Sequence, residues 1–197
     1  MADATKPAIN TAEALMDIEA IKQLKARYCR HLDAKDWVSW RALFADDFVS
    51  ELAMAGGRRR LGADDFIAYT RSTLGRPSQC TVHQVHAPEI SVTSMTTARG
   101  VWGMTDLVRL LPAVTLHGYG HYHETYEKRD GQWRITSSRL SRLREDIALP
   151  GIRALPPSVA RRVRIAAAKL ARYTSERAAD RAAGHRHAFN NHDGEVE

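Results

Sequence analysis

Cysteine is scarce in this chain: Cys29 and Cys80 are the only two among 197 residues. They lie too far apart for a C-x-x-C motif and are too few to staple a small secreted scaffold, so a reducing cytoplasm is the expected compartment. No run approaches the roughly 18 apolar residues of a membrane span. The opening MADATKPAINTAEA has no basic segment followed by an apolar stretch, so neither a spanning helix nor a secretory leader is expected. A glycine-rich phosphate loop, an internal repeat, a low-complexity tract and the G-x-S-x-G of a serine nucleophile are all missing as well. Cys29 falls in mid-helix without a sequence-adjacent base other than His31, which weighs against a thiol nucleophile.

What remains is an ordinary balance of 44% hydrophobic and 26% charged residues, enough for one core that needs neither disulfides nor a structural metal. The net charge of +6 is concentrated at the back: nine of the 29 Arg/Lys but only five of the 23 Asp/Glu lie from Gly151 onward. Pro150 to Pro157 reads as a linker, Ser158 as a cap, and Val159 to Ala183 as a basic helix ending at Gly184, followed by a disordered tail over 185–197. Val159, Val163, Leu170 and Tyr173 give that helix a narrow apolar stripe suited to docking on the domain or a neighbouring subunit. Its aromatics are few and Glu176 and Asp180 dilute its charge, so no nucleic acid and no membrane partner is expected.

The chemistry is therefore sought in residues 14–146, with 1–13 as a flexible lead and 147–158 as linker. Apolar residues at Leu15, Ile18, Ile21, Leu24, Tyr28 and Leu32 predict an amphipathic helix over Ala14 to Leu32. Asp36 can cap a second helix with Trp37, Trp40, Leu43 and Phe44 on its apolar side. Phe48 to Met54 reads as a strand, Gly56-Gly57 as a turn, Arg58 to Leu61 as its return, and Asp64 to Leu74 as a third helix closed by Gly75. After Pro77 the period changes to two, with strands at Cys80–His86, Glu89–Val92, Ala98–Leu110, Thr115–Lys128 and Trp133–Leu143. Helices first and an antiparallel sheet afterwards is the α+β class, and a sheet curled around a helix encloses a cavity.

Nine histidines are the unusual supply. His83 and His86 are three apart on a strand and so point to opposite faces, and no acidic or cysteine partner shows ligand spacing, so no metal site is read. His117, Tyr119, His121 and His123 share one parity, for which a solvated polar face is the plainer reading. Asp33 and Tyr28 stand at the end of the first helix, where they can reach the cavity mouth or simply terminate and pack that helix.

The strings MDIEAIKQLKARYCRHLDAKDW, VHQVHAPEI, ARGVWGMTD and YEKRDGQWRI resemble the SnoaL-like branch of the nuclear-transport-factor-two-like superfamily. Within it they are most similar to the bile-acid 7α-dehydratases and more distantly to the scytalone dehydratases. The resemblance implies an α+β cone, three helices closing a strongly curved sheet around a deep apolar pocket. It also implies no cofactor, a hydrophobic small-molecule substrate, and a homo-oligomer, trimer or dimer. It assigns catalysis to Tyr28, Asp33, His83 and Asp106 and substrate binding to Arg142. The activity implied is dehydratase-type loss of water from a hydroxylated carbonyl or polycyclic molecule, with isomerase, polyketide cyclase or non-catalytic binding as the other uses of the fold. Asp130-Gly131 is the strongest hairpin signal; carried unbroken, it pairs Tyr119 with Arg142. Tyr119, His121, His123, Ser138 and Leu140 would then share the inner face with Arg142, while Tyr122, Glu124, Tyr126, Trp133 and Ile135 face away. Trp102 and Met104 are expected to shape the substrate pocket beside Tyr119 and His121.

Overall fold

The structure is a computed structural model that describes residues 11–52 and 59–149, together with 158, 159, 161–163, 165 and 166. Helix α1 spans Thr11–Ala34, and the face it buries carries Asp17, Ile21, Leu24, Lys25, Tyr28 and Leu32. The periodic stripe is thus displaced from the expected one. Leu15 is 63% exposed, and two charged residues sit where apolar ones were anticipated. The chain turns through Lys35 at φ 60°, and Asp36 caps α2 (Trp37–Arg41) by accepting the Ser39 N–H at 3.1 Å. Helix α2 stops short of Phe44, which instead opens strand β1 (Phe44–Leu52). Strand β2 (Arg59–Leu61) returns antiparallel to it; the expected Gly56-Gly57 turn lies outside the described residues. Helix α3 (Ala63–Leu74) ends at Gly75 as expected.

Four long strands follow: β3 (Thr81–Val92), β4 (Thr97–Leu111), β5 (Val114–Arg129) and β6 (Gln132–Ala148). They form one sheet in the order β2-β1-β6-β5-β4-β3. All neighbours are antiparallel except β1 and β6, which run parallel because the chain re-enters the sheet beside its own first strand. Strand β3 is one element where two were expected. A register shift between His86 and Glu89, with Ala87 at φ 44°, keeps it paired past Pro88. Strand β6 runs beyond Leu143, so Ile147 and Ala148 belong to the sheet rather than to a linker. Asp130 and Gly131 both have positive φ, the two-residue turn that Asp-Gly favours.

The hairpin register is where expectation and structure part. Near the turn Tyr126 faces Ile135, but Thr125 faces Ser137, so Thr136 is an extra residue in β6; Leu143 is a second, between Arg142 and Arg144. A bulge reverses which face every later residue points to. Arg142 therefore pairs with Gly120, and Tyr122, Glu124, Tyr126, Trp133, Ile135, Ser138 and Leu140 are all buried.

The main core gathers between α1, α2, α3 and the inner sheet face around Trp40, Phe44, Phe48 and Phe66, with ring centroids of Phe44 and Phe48 4.6 Å apart. A second cluster of Val108, Leu110, Val114, Leu116 and Ile147 lies at the other end, with Val163 of the helical segment beyond residue 158 packed on it. The rest of the expected basic helix and tail lies outside the described residues. Among the described residues no helix is long and apolar enough to cross a membrane.

Candidate active site

The last turns of α1 and the start of β3 meet at Asp33 and His83. Asp33 Oδ1 is 2.7 Å from His83 Nδ1, and Oδ2 accepts the His83 backbone N–H at 2.8 Å. Thr81 donates its hydroxyl to Oδ1 at 2.8 Å and in turn accepts from Lys35 Nζ at 2.7 Å. Burial draws the Lys35 ammonium below its ordinary pKa, against the opposing pull of Asp33. A carboxylate only accepts, so Nδ1 carries the ring hydrogen and Nε2 presents its lone pair. The His83 side chain is 5% exposed and that of Asp33 24%, so the imidazole is inside and its partner lies toward the surface.

Across the sheet, Asp106 stands opposite His83 on β4 and opposite Gly118 on β5. Arg142 grips Asp106 through both nitrogens, Nη1 to Oδ1 at 2.9 Å and Nη2 to Oδ2 at 2.5 Å. Burial opposes the guanidinium charge, but the hydrogen bonds to Asp106 outweigh it and hold Arg142 above its ordinary pKa. This crossing needs the glycine: a Cβ at Gly118 would fall on Arg142 Nη1 and Asp106 Oδ1.

These groups line a cavity of about 150 Å³ whose wall includes Tyr28, Trp40, Gln79, His83, Asp106, Tyr122 and Arg142, with Leu32, Phe66, Leu74, Val108 and Leu110 between them. Burial, followed by the neighbouring Tyr122 and Glu124, raises the Tyr28 phenol well above its ordinary pKa, so it is a neutral donor. Burial likewise pushes the Cys29 thiol up to about 11, which leaves almost no thiolate at neutral pH. A larger groove of about 640 Å³ crosses the opposite face of the sheet past Glu51, Arg99, His123 and Arg139, but contains none of Tyr28, Asp33, His83, Asp106 and Arg142. Chemistry, rather than size, selects the smaller cavity.

Tyr28, His83, Asp106 and Arg142 thus share one cavity, with Asp33 directly behind His83. Tyr119 and His121 do not join them. Tyr119 is 37% exposed and His121 stacks beside His123 on the outer face, because the bulge at Thr136 inverts β6 relative to β5. Trp102 is a core residue that donates to Tyr126 Oη at 2.7 Å and does not line the cavity. Met104 lies behind the wall, its sulfur 3.7 Å from Arg142 Nη1.

Sequence reasoning missed the floor beneath Tyr28. Lys25 and Glu124 are fully buried and paired at 2.5 Å, and Ser138 and Tyr126 also donate to Glu124 at 3.0 and 2.6 Å. Lys25 Nζ sits 4.0 Å from the Tyr28 ring centroid and 3.9 Å from that of Tyr122. The signal for Glu124 was its shared parity with Tyr122 and Tyr126. Among the described residues no three His, Cys, Asp or Glu side chains are grouped as metal ligands.

Helices closing one face of a curved sheet over an acid–base pair define an α+β cone with an enclosed site. The chain belongs to the SnoaL-like domain family, whose family model matches residues 13–139. Among solved structures it is similar to a proposed scytalone dehydratase from Novosphingobium aromaticivorans, with 24% identity, 75% of this chain and 97% of that one covered, and a TM-score of 0.63. It is also similar to a hexachlorocyclohexane dehydrochlorinase of type 3 from Novosphingobium barchaimii, at 17% identity, 75% and 100% coverage and a TM-score of 0.63. A third is a Mycobacterium tuberculosis protein of unknown function, at 23% identity, 87% and 96% coverage and a TM-score of 0.63. At these identities the likeness establishes the fold.

Proposed function

We propose that this cavity removes water from a small hydroxylated carbonyl compound, using only the protein's own side chains. The observation that carries the reading is the Asp33–His83 hydrogen bond, which sets the imidazole tautomer at a wall shared with Tyr28 and the Asp106–Arg142 pair. His83 Nε2 takes the proton from the carbon next to the carbonyl, and the electron pair moves to the carbonyl oxygen, where the Tyr28 hydroxyl donates. The enolate then expels the β-hydroxyl. The C–O bond breaks, the new double bond forms, and His83 returns its proton so that water leaves. Asp33 stabilises the intermediate imidazolium.

Both oxygens of Asp106 accept from Arg142, which makes Asp106 a positioning residue for the guanidinium rather than the proton donor that sequence alone allowed. Arg142 is then the group that meets the departing oxygen. Two of the similar structures bear names, dehydratase and dehydrochlorinase, that each denote loss of hydrogen and a leaving group, which supports elimination as the reaction class. The motifs' similarity to bile-acid 7α-dehydratases suggests a steroid, yet a cavity of about 150 Å³ matches the size that holds a benzene-sized guest. A one-ring or short-chain substrate is therefore the reading favoured.

Assaying a panel of compact β-hydroxy ketones for the conjugated product tests this. His83→Ala is expected to lower turnover by roughly 10²–10⁴-fold with an unchanged fold, and Asp33→Asn to lower it as well. Full activity in His83→Ala would refute the proposal.

A further inference from the structure

The turn that delivers the chain to β3 places one polar side chain in the cavity without using it. Arg76 to Gln79 form a turn with Pro77 at its second position, closed by the Gln79 N–H donating to the Arg76 carbonyl at 2.9 Å. Arg76 ties this turn to β4 by donating to the Leu110 carbonyl at 3.2 Å. The Arg109 N–H reaches the Cys80 carbonyl at 2.9 Å, so extended pairing already holds one residue before β3. Alternation then directs Gln79, Thr81 and His83 to one face, and all three are buried. Thr81 and His83 are occupied by Asp33. Gln79 is 3% exposed and lines the cavity, and neither Nε2 nor Oε1 has a hydrogen-bond partner among the described residues. Trp40 Nε1, in the same wall, has none either.

Buried polar atoms are nearly always paired, because leaving one unmatched costs the full desolvation of that group. A primary amide with both ends unmatched in a cavity wall has the stereochemistry of half a hydrogen-bonded pair. We propose that Gln79 is the specificity residue of this cavity, pairing with a ligand edge that sets a donor beside an acceptor, as in an enolised dicarbonyl, a hydroxy ketone, a lactam or a carboxamide. A carboxylate, which only accepts, would oppose Oε1 and is disfavoured. Four strand residues separate Gln79 from His83, about 13 Å along the backbone, so the recognised edge lies at the end of the ligand remote from the reacting carbon. This inference rests on the cavity being the substrate site and deepens that reading.

The test is equilibrium binding to the full chain of three one-ring probes: 2-pyridone, whose N–H lies beside its carbonyl; N-methyl-2-pyridone, which lacks the donor; and benzene. The wild type is expected to bind 2-pyridone about tenfold or more tighter than its N-methyl analogue. Gln79→Leu should erase that preference, keep benzene affinity, and show a ligand-free Tm no lower than the wild type, because two unmatched polar atoms have gone. A purely structural glutamine would instead lower the Tm. Gln79→Met repeats the measurement with an unbranched side chain should the leucine variant fold poorly. A preference that survives in Gln79→Leu, or a wild type that shows no preference or binds no probe, overturns the proposal. The binding readout involves no turnover, so a fully active His83→Ala that retains the 2-pyridone preference would sink the elimination mechanism and leave Gln79's role standing.

Discussion

Two polar clusters are buried against the same inner sheet face, one of them closed and the other open. On the floor, Glu124 Oε1 meets Lys25 and Ser138, Oε2 meets Tyr126, and Tyr126 Oη takes the Trp102 N–H. At the wall, Asp33 and Arg142 are fully engaged, but the chain of contacts ends in His83 Nε2 and the Gln79 amide, which face the cavity. A buried network whose members satisfy one another fixes structure. One that stops at a cavity with donors and acceptors left over is arranged for something that enters. The closed cluster also serves the open one, since Lys25 sits against the Tyr28 and Tyr122 rings and so holds the phenol in the wall.

Separate damage to the two clusters should produce opposite kinds of failure. The largest effect is the loss of turnover in His83→Ala, which should leave the denaturation midpoint nearly unchanged. Lys25→Met is the complementary break: stranding Glu124 without its cation is expected to cost about 3–5 kcal/mol in urea denaturation. Adding Glu124→Leu should recover most of that loss, because an apolar pair replaces an orphaned charge. An intermediate case is Gly118→Ala, whose methyl group must displace the Arg142–Asp106 pair. It should lose roughly 1–3 kcal/mol together with activity, and a variant as stable and active as wild type would show that the pair is not held so tightly.

The smallest expected effect is alkaline. Burial raises Tyr28, Tyr122 and Tyr126 above the ordinary phenol value. Below about pH 10 folded and unfolded chains both keep these protons, and stability is unaffected. Above it the unfolded chain releases them while the folded chain holds them, so stability falls as pH rises. Denaturation midpoints compared between about pH 9 and about pH 11 should show the decline, and Tyr28→Phe should lessen it.

Much of this was readable in one dimension. The apolar spacing of α1, the Asp36 cap, the Asp-Gly hairpin turn and the opposite facing of His83 and His86 are local properties. The family resemblance placed Tyr28, Asp33, His83, Asp106 and Arg142 together before any coordinates. Gln79 was within reach, since starting the alternation of β3 two residues earlier puts it in line with His83. Lys25 and Glu124 were not, because each is an ordinary surface residue type until the 99 residues between them fold and bring a partner.

Local rules determined which segments are helix or strand and which side chains alternate within each uninterrupted strand, because those follow from backbone geometry over a few residues. Only the tertiary structure decided which of β5's two faces Arg142 shares. One extra residue, Thr136, inverts everything after it, and where that residue is taken up depends on how the curved sheet closes over α1, not on the preferences of the residue itself.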